Sequence, residues 1–380
     1  MSQKLPRPDA ELTLESVFDA YFDCRRHKRN TLYQLAFEAD LERNLLALWR
    51  DLRDGTYQIG RSIAFVVQHP KTREVWAASF RDRIVHHLIY NAIRHRFYAG
   101  FIRDSYACIP GRGTHDGCCR ISGFARSVTR NWTRQAFVLK ADVASFFTSI
   151  NRHVVLMQVE VRVHEEWLRR LIRQVVLHDP REGAILRSSQ ALFAKVPRHK
   201  SLWHAPEGFG LPIGNLTSQF FANVHLDALD QFAKHDLHAH YYGRYVDDIL
   251  MFDESPDVLN ERYAKMERFL LDRLGLHLHP NKKKLHPVAQ GIDFVGFIIK
   301  PGRTYLRNAS LARCKQKIRA WEREGSSVDP QRLEKLGQSI TSYLGMLRQV
   351  NGFRARQHLC QNFRSLFIYA DAECTKLVVP

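Results

Sequence analysis

Two adjacent aspartates sit in a stretch of the chain that is otherwise built of strand-forming apolar residues. Asp247-Asp248 lies within Tyr245-Val246-Asp247-Asp248 and is flanked by Tyr241, Tyr242, Ile249, Leu250 and Phe252. The pattern predicts two short strands, His240–Tyr245 and Ile249–Phe252, around a tight turn. An acid pair placed there suffers desolvation and mutual repulsion. A bound cation removes both penalties, and hard oxygen ligands of this kind suit Mg²⁺. Without a cation the pair reads as a polar β-turn, since Asp is common in turns. A third acid separates the two readings. Asp142 ends an apolar strand, Ala136–Ala141, about a hundred residues earlier, and Val143-Ala144-Ser145-Phe146-Phe147 follows it. Phosphoryl transfer to a growing strand needs such a set, because two metal ions roughly 3.5–4 Å apart activate the attacking hydroxyl and stabilise the leaving oxygen. The backbone carbonyl of Val143 is a further candidate ligand.

The charge balance points to a polyanionic partner. The 380 residues hold 57 Lys+Arg against 39 Asp+Glu, a formal net charge of +18, and nucleic acid is the usual partner of such a chain. A soluble basic protein without that partner would spread its charge evenly. Here residues 303–380 carry 14 Arg/Lys and 6 Asp/Glu, making this part several times more basic per residue than the rest. Hydrophobic residues at 45% and charged residues at 25% exclude global disorder. No run approaches the ~20 apolar residues of a membrane span, so no membrane partner is expected. The N-terminal residues contain no apolar core of a secretory signal. Seven cysteines, an odd count without a C-x-x-C pair, argue against a disulfide framework and a structural zinc site. A cytoplasmic location is expected.

Helices are expected over 14–60, Phe80–Tyr98, 152–177, Ser218–Lys234, 257–274 and, with the basic excess, about 305–380. Arg61–Gln68 and Glu74–Ala78 read as a hairpin around Pro70-Lys71-Thr72-Arg73, and Thr114 as a helix N-cap. Residues 178–210 read as a loop-rich insertion, and Ile292–Ile299 as one apolar strand with Gly296 inside it. Helix and strand mix without regular βαβ alternation, so the fold class is α+β.

Three segments together resemble a known family. Asp142-Val143-Ala144-Ser145-Phe146-Phe147, Gly210-Leu211-Pro212-Ile213-Gly214-Asn215-Leu216-Thr217-Ser218-Gln219 and Tyr245-Val246-Asp247-Asp248 look like motifs A, B and C of reverse transcriptases, in order and spacing. The resemblance covers about residues 60–300 and implies a right-hand polymerase. Its parts would be N-terminal helices and fingers over 1–135, an antiparallel, ferredoxin-like palm over 136–300 with about 152–210 inserted as part of the fingers, and a helical thumb over 301–380. It implies two Mg²⁺ ions, with Mn²⁺ as an alternative, on Asp142, Val143, Asp247 and Asp248. Arg73, and Lys71 beside it, would hold the triphosphate, although Lys71 reads equally well as a solvated turn residue. Phe147 falls at the sugar-gate position, where a bulky ring clashes with a ribose 2′-OH, while Phe146 reads as core. Ile213, Gly214, Ser218, Gln219 and Tyr245 would shape the nucleotide and template pocket. Lys282 resembles the motif D proton donor, with Lys283 and Lys284 leaving its register open. Phe294-Val295-Gly296-Phe297 resembles the primer grip, in which Gly296 would allow close backbone approach.

Motif B departs from the Gln-Gly-x-x-x-Ser-Pro of many retroviral and group II intron enzymes. Ile213-Gly214-Asn215-Leu216-Thr217-Ser218-Gln219, with Asp104-Ser105-Tyr106-Ala107-Cys108 and Gly113-Thr114-His115, resembles the enzymes of diversity-generating retroelements. An Ile cannot hydrogen-bond beside the templating pair, and selection without polar pairing is less exacting. That resemblance implies error-prone copying of a template repeat, with an RNA template, a DNA or RNA primer, dNTPs and cDNA as ligands. It also implies an oligomeric accessory variability protein and a structured non-coding RNA as partners. A defence-associated (anti-phage) reverse transcriptase shares the motif B form and is the alternative. A non-catalytic RNA-binding protein would be expected to have lost acids, and all three are present. No segment beyond the expected thumb has room for an RNase H or endonuclease domain, so RNA removal and target cutting are expected from other proteins.

Overall fold

The computed structural model describes residues 11–26, 31–69, 71–323, 330–362, 369–370, 373–375 and 377–378. Three N-terminal helices, α1 (Leu14–Arg25), α2 (Leu32–Glu38) and α3 (Leu41–Asp54), precede the hairpin β1 (Ile63–Val67) and β2 (Arg73–Ala77) and then α4 (Phe80–Tyr98) and α5 (Thr114–Val128). Next come β3 (Phe137–Asp142), the short α6 (Phe146–Ser149), α7 (Arg152–Glu160), α8 (Glu166–Leu177), β4 (Ile185–Leu186) and α9 (Gln190–Phe193). The long α10 (Leu216–Gln231) leads to β5 (Tyr242–Tyr245), β6 (Asp248–Asp253), α11 (Pro256–Phe269) and β7 (Lys284–Pro287). The strands β8 (Ile292–Phe294), β9 (Phe297–Lys300) and β10 (Arg303–Leu306) lead to α12 (Asn308–Arg323), α13 (Pro330–Arg348), α14 (Phe353–Asn362), β11 (Tyr369–Ala370) and β12 (Leu377–Val378).

The central sheet has the order β5-β6-β3-β7, with every pairing antiparallel. Both of its faces are covered, which is why its strands read as near-continuous apolar runs. Leu139, Ala141, Ile249 and Met251 point into a core shared with α1, α3, α4, α7, α8, α10 and α11. Their neighbours Val138, Leu250 and Phe252 point into a second core with α5, β8, β9 and α12–α14. The period-2 alternation of a strand therefore puts Lys140, Asp142 and Asp248 on the second face, beside the β8–β9 hairpin.

Several elements differ from expectation for local reasons. Residues 152–177 form two helices, with the corner at 161–165 tied back to α4 by the Arg96–Glu165 ion pair. The insertion 178–210 is anchored: β4 pairs in parallel with β1, and buried Glu74 accepts hydrogen bonds from the Ser201 hydroxyl and, at 2.8 Å, from Leu202 N–H. Gly113, not Thr114, is the N-cap of α5, and Thr114 is the first helical residue. The C-terminal region is not all helix, since β10 pairs with β9 and β11 with β12. Pro70 of the expected turn lies outside the described residues.

Ile292–Ile299 is a tight hairpin, not one strand. Phe294 pairs with Phe297 across two residues, Val295 at φ 43° and Gly296 at φ 94°. Two positive φ values mark a type I′ turn, which matches the twist of the flanking strands. Gly296 is there for that backbone conformation: a Cβ would meet nothing within 4 Å, so close approach of another chain segment is not the reason. Gly296→Ala is expected to cost about 1–2 kcal/mol, the penalty of a Cβ in the left-handed region, read as a lower midpoint in urea unfolding.

Candidate active site

The register of β3 on β6 sets Asp142 directly opposite Asp248. Asp247 is the second residue of the two-residue turn closing β5 onto β6, where Tyr245 pairs with Asp248. Three backbone bonds join these distant segments. Val143 N–H donates to the Asp247 carbonyl at 3.2 Å, His279 N–H to the Asp142 carbonyl at 2.7 Å, and Ala144 N–H to the His277 carbonyl at 2.8 Å. The first turn residue, Val246, sits at φ 54°. That position favours Gly, and a β-branched residue there is strained by on the order of 1–3 kcal/mol. The strain falls at the acid pair.

Lysines balance two of the three carboxylates. Lys282 Nζ lies 2.5 Å from Asp142 Oδ1, and Lys140 Nζ 3.3 Å from Asp248 Oδ1. Asp247 has no ion pair among the described residues. Burial, then Asp142, then Asp248 push its carboxyl up to about pKa 6. Among the described residues no three Asp, Glu, His or Cys side chains already stand together as a metal-binding group. The donor chemistry nevertheless fits a hard divalent cation: carboxylates from opposed strand ends, plus a buried Val143 whose carbonyl accepts no hydrogen bond among the described residues. Such an ion would replace the lysines as the partner of Asp142 and Asp248.

The rim is built largely of backbone. Trp76 N–H of β2 donates to the Ile213 carbonyl at 2.7 Å, and Ala78 N–H to Asn215 Oδ1 at 3.0 Å. Gly214 has φ 129°, and a Cβ there would come within 2.9 Å of Val75 Cγ1 and 3.0 Å of the Trp76 carbonyl oxygen. The hairpin thus lies against the 210–215 loop, with Lys71 exposed in its turn, Arg73 exposed at the first pair beside that turn, and neither ion-paired among the described residues. Ser218 is buried in the first turn of α10, while Gln219 is exposed and accepts a bond from Cys108 Sγ at 3.4 Å.

Phe146 is buried and Phe147 half-buried, and they lie on α6 beyond the strand, so a helical turn rather than strand alternation divides their roles. Leu211 N–H donates to the Phe147 carbonyl at 2.8 Å, joining this turn to the 210–215 loop. Lys282 meets Asp142, whereas Lys283 lies over the Tyr263 ring at 4.2 Å and Lys284 belongs to β7. Phe294 and Phe297 are buried, with Phe294 edge-on to Tyr245 at 6.4 Å, so Val295 and Gly296 form the tip of that hairpin. Sequence reasoning passed over Lys140 and Arg244. Lys140 had a signal, since two residues before Asp142 on a strand is the same face. Arg244 had none, because its partner Asp230 is on α10.

A family model described as reverse transcriptase (RNA-dependent DNA polymerase) matches residues 68–299, more than half of the chain. No curated protein matches. Among solved structures, the telomerase of Candida albicans in complex with a TWJ fragment of telomeric RNA is 13% identical at TM-score 0.44, covering 78% of this chain and 55% of that one. An apo telomerase of Candida tropicalis truncated from its C-terminal domain is 12% identical at TM-score 0.45, covering 66% and 55%. A further apo telomerase structure of Candida tropicalis is 11% identical at TM-score 0.48, covering 75% and 52%. The chain thus spans about half the length of these proteins.

The raised Asp247 carboxyl makes a stability prediction. An unfolded Asp loses its proton near pH 4 and the folded one near pH 6. Between those values folding takes up a proton, so stability falls as pH rises, and the full penalty applies above about pH 6. In the presence of a chelator, Asp247→Asn is expected to stabilise the chain at pH 7.5 by on the order of 1 kcal/mol after solvent screening. The gain should vanish below about pH 4, as read by urea unfolding across pH.

Proposed function

We propose, for a chain that belongs to the reverse transcriptase family and is an RNA-directed DNA polymerase, that Asp142, Asp247, Asp248 and the Val143 carbonyl hold two Mg²⁺ ions and that RNA is copied into cDNA at this place. Mn²⁺ is an alternative ion. The observation that carries the reading is the pairing of Asp142 with Asp248 beside an Asp247 that has no cation of its own. When bound, the ions activate the attacking 3′-hydroxyl and neutralise charge on the leaving oxygen.

The chain's own groups do the rest. Arg73 offers a multi-donor fork and Lys71 a mobile point charge to the triphosphate. Ile213, Gly214, Ser218, Gln219 and Tyr245 shape the nucleotide and template pocket, and Phe147 excludes a ribose 2′-OH. Lys282, which pairs with Asp142, would serve as the general acid that protonates the pyrophosphate. In the primer grip Phe294 and Phe297 anchor the hairpin, and its tip, Val295-Gly296, meets the primer. The divisions follow: N-terminal helices and fingers over 1–135, palm over 136–300 with 152–210 added to the fingers, and a basic thumb over 301–380 that grips the template–primer backbone. The pairing of β4 with β1 supports assigning the insertion to the fingers.

The finer reading is a diversity-generating retroelement enzyme that copies a template repeat with errors in the cytoplasm, with a structured non-coding RNA and an oligomeric accessory variability protein as partners. Its support is the Ile213-to-Gln219 form of motif B. An anti-phage defence enzyme shares that form and is the second reading. Among the described residues no helix is long and apolar enough to cross a membrane.

Primer extension on an RNA template with dNTPs and Mg²⁺ tests the activity. Asp142→Asn or Asp247→Asn should lower incorporation by on the order of a thousandfold, the scale of lost metal stabilisation, and an unchanged rate rejects the site. Phe147→Ala should raise ribonucleotide use relative to dNTP by about tenfold or more, read by competing rNTP against dNTP. Sequencing the co-purifying RNA and its cDNA tests the subclass: substitutions clustered at template adenines support the retroelement, and faithful cDNA counts against it.

A further inference from the structure

Arg244 and Asp230 form a fully buried ion pair directly behind the acid-bearing turn, each 1% exposed at the side chain. Arg244 Nε donates to Asp230 Oδ1 at 2.7 Å and Nη2 to Oδ2 at 2.6 Å, a two-pronged contact. The Tyr242 hydroxyl donates to Asp230 Oδ1 at 2.7 Å. The remaining donors of the guanidinium are spent on three neighbours. Nη2 donates to Ser105 Oγ at 3.1 Å, and Nη1 to Asn223 Oδ1 at 3.3 Å and to the Val246 carbonyl at 2.9 Å. That carbonyl belongs to the peptide linking Val246 to Asp247.

We infer that Arg244, held by Asp230, is a positioning residue for the polymerase reaction, and that it aims the Asp247 carboxylate by fixing the strained Val246–Asp247 peptide. The inference rests on the polymerase reading of the site. Two observations carry it. First, Val246 is β-branched and occupies the left-handed region at φ 54°, a conformation that persists only where surroundings over-determine it. The Arg244 bond fixes the carbonyl immediately following that φ. Second, stability alone does not account for the pair. A buried ion pair is often matched or bettered by apolar residues of similar volume. What apolar residues cannot supply is a donor to the Val246 carbonyl. The guanidinium is also fixed in place from outside the hairpin, since Asp230 and Asn223 both lie on α10. The helix whose first turn carries Ser218 and Gln219 is thereby tied to the turn that carries Asp247.

The test separates positioning from folding. The triple variant D230L/Y242F/R244M replaces the polar cluster with apolar groups and removes the donor. It is expected to melt near the wild-type temperature with kcat for single-nucleotide incorporation down by about tenfold or more and KM for dNTP within about twofold. R244K keeps the charge but loses the fork, and should show the same split. Adding V246G to R244K should recover about fivefold in kcat, because Gly adopts the left-handed region without strain, whereas non-interacting changes would combine additively. A folded triple variant with wild-type kcat overturns the inference, and so does a V246G/R244K double variant no faster than R244K alone. Failure of the unmodified chain to incorporate any dNTP would instead remove the polymerase reading, and the inference with it. If R244K does not fold, the triple variant alone decides.

Discussion

The register of one strand pair determines the rest of this molecule. Asp142 faces Asp248 because Phe137 faces Asp253 at the other end of β3 and β6, with four apolar pairs or mixed pairs between them. Both faces of these strands are buried, so a one-residue slip would push Leu139 and Ala141 into the wrong core and carry Asp142 to the opposite side. The apolar residues thus fix where the acids stand. Like charges directly opposite on a sheet are unfavourable, so the sheet holds a pairing that its polar ends oppose. Lys140 and Lys282 offset two of the three charges, and Asp247 is left with the raised carboxyl.

Around that acid trio the second half of the site is assembled through main chain. The Ile213 carbonyl bonds to β2, the Phe147 carbonyl to Leu211, and the Asp142 carbonyl to His279. Backbone bonds of this kind hold position without consuming side chains. They also explain Gly214. The 210–215 loop lies so close to Val75 and Trp76 that a Cβ has no room. The buried Glu74, bonded to Ser201 and Leu202, then holds the insertion onto the same hairpin. Hairpin, loop and insertion are one unit because side-chain and backbone hydrogen bonds cross between all three.

The parts legible in the sequence are those whose chemistry is costly without a purpose. Acids inside apolar strands are costly, so Asp142 and Asp247-Asp248 stood out, and the short apolar runs around them located the strands. The helix Phe80–Tyr98 was legible because its apolar spacing ran unbroken between Ser79, which caps it, and a polar end. The Val295-Gly296 turn was hidden because Val is an unusual residue for positive φ, and the apolar run looked continuous. The register of Lys282 among three lysines depended on the direction of a short helical turn, Pro280–Lys282, which no periodicity fixes. Arg244 and Asp230 were invisible for a stronger reason. Each reads as an ordinary surface charge until the fold brings α10 behind β5.

Local rules fail together at one place. A β-branched residue adopts a left-handed backbone, carboxylates oppose one another, and a guanidinium is buried behind them. Each is unfavourable alone, and each lies within a few residues of Asp247. Positive φ at a β-branched residue recurs at Val295, but at Asp247 it coincides with opposed carboxylates and a buried guanidinium. The two extensive cores flanking the sheet supply the rigidity this requires. A strained turn with a small core behind it would relax, and the acids would drift apart. The size of the apolar scaffold and the precision of the acidic end are therefore one property: the first exists in excess so that the second can be held against its own repulsion.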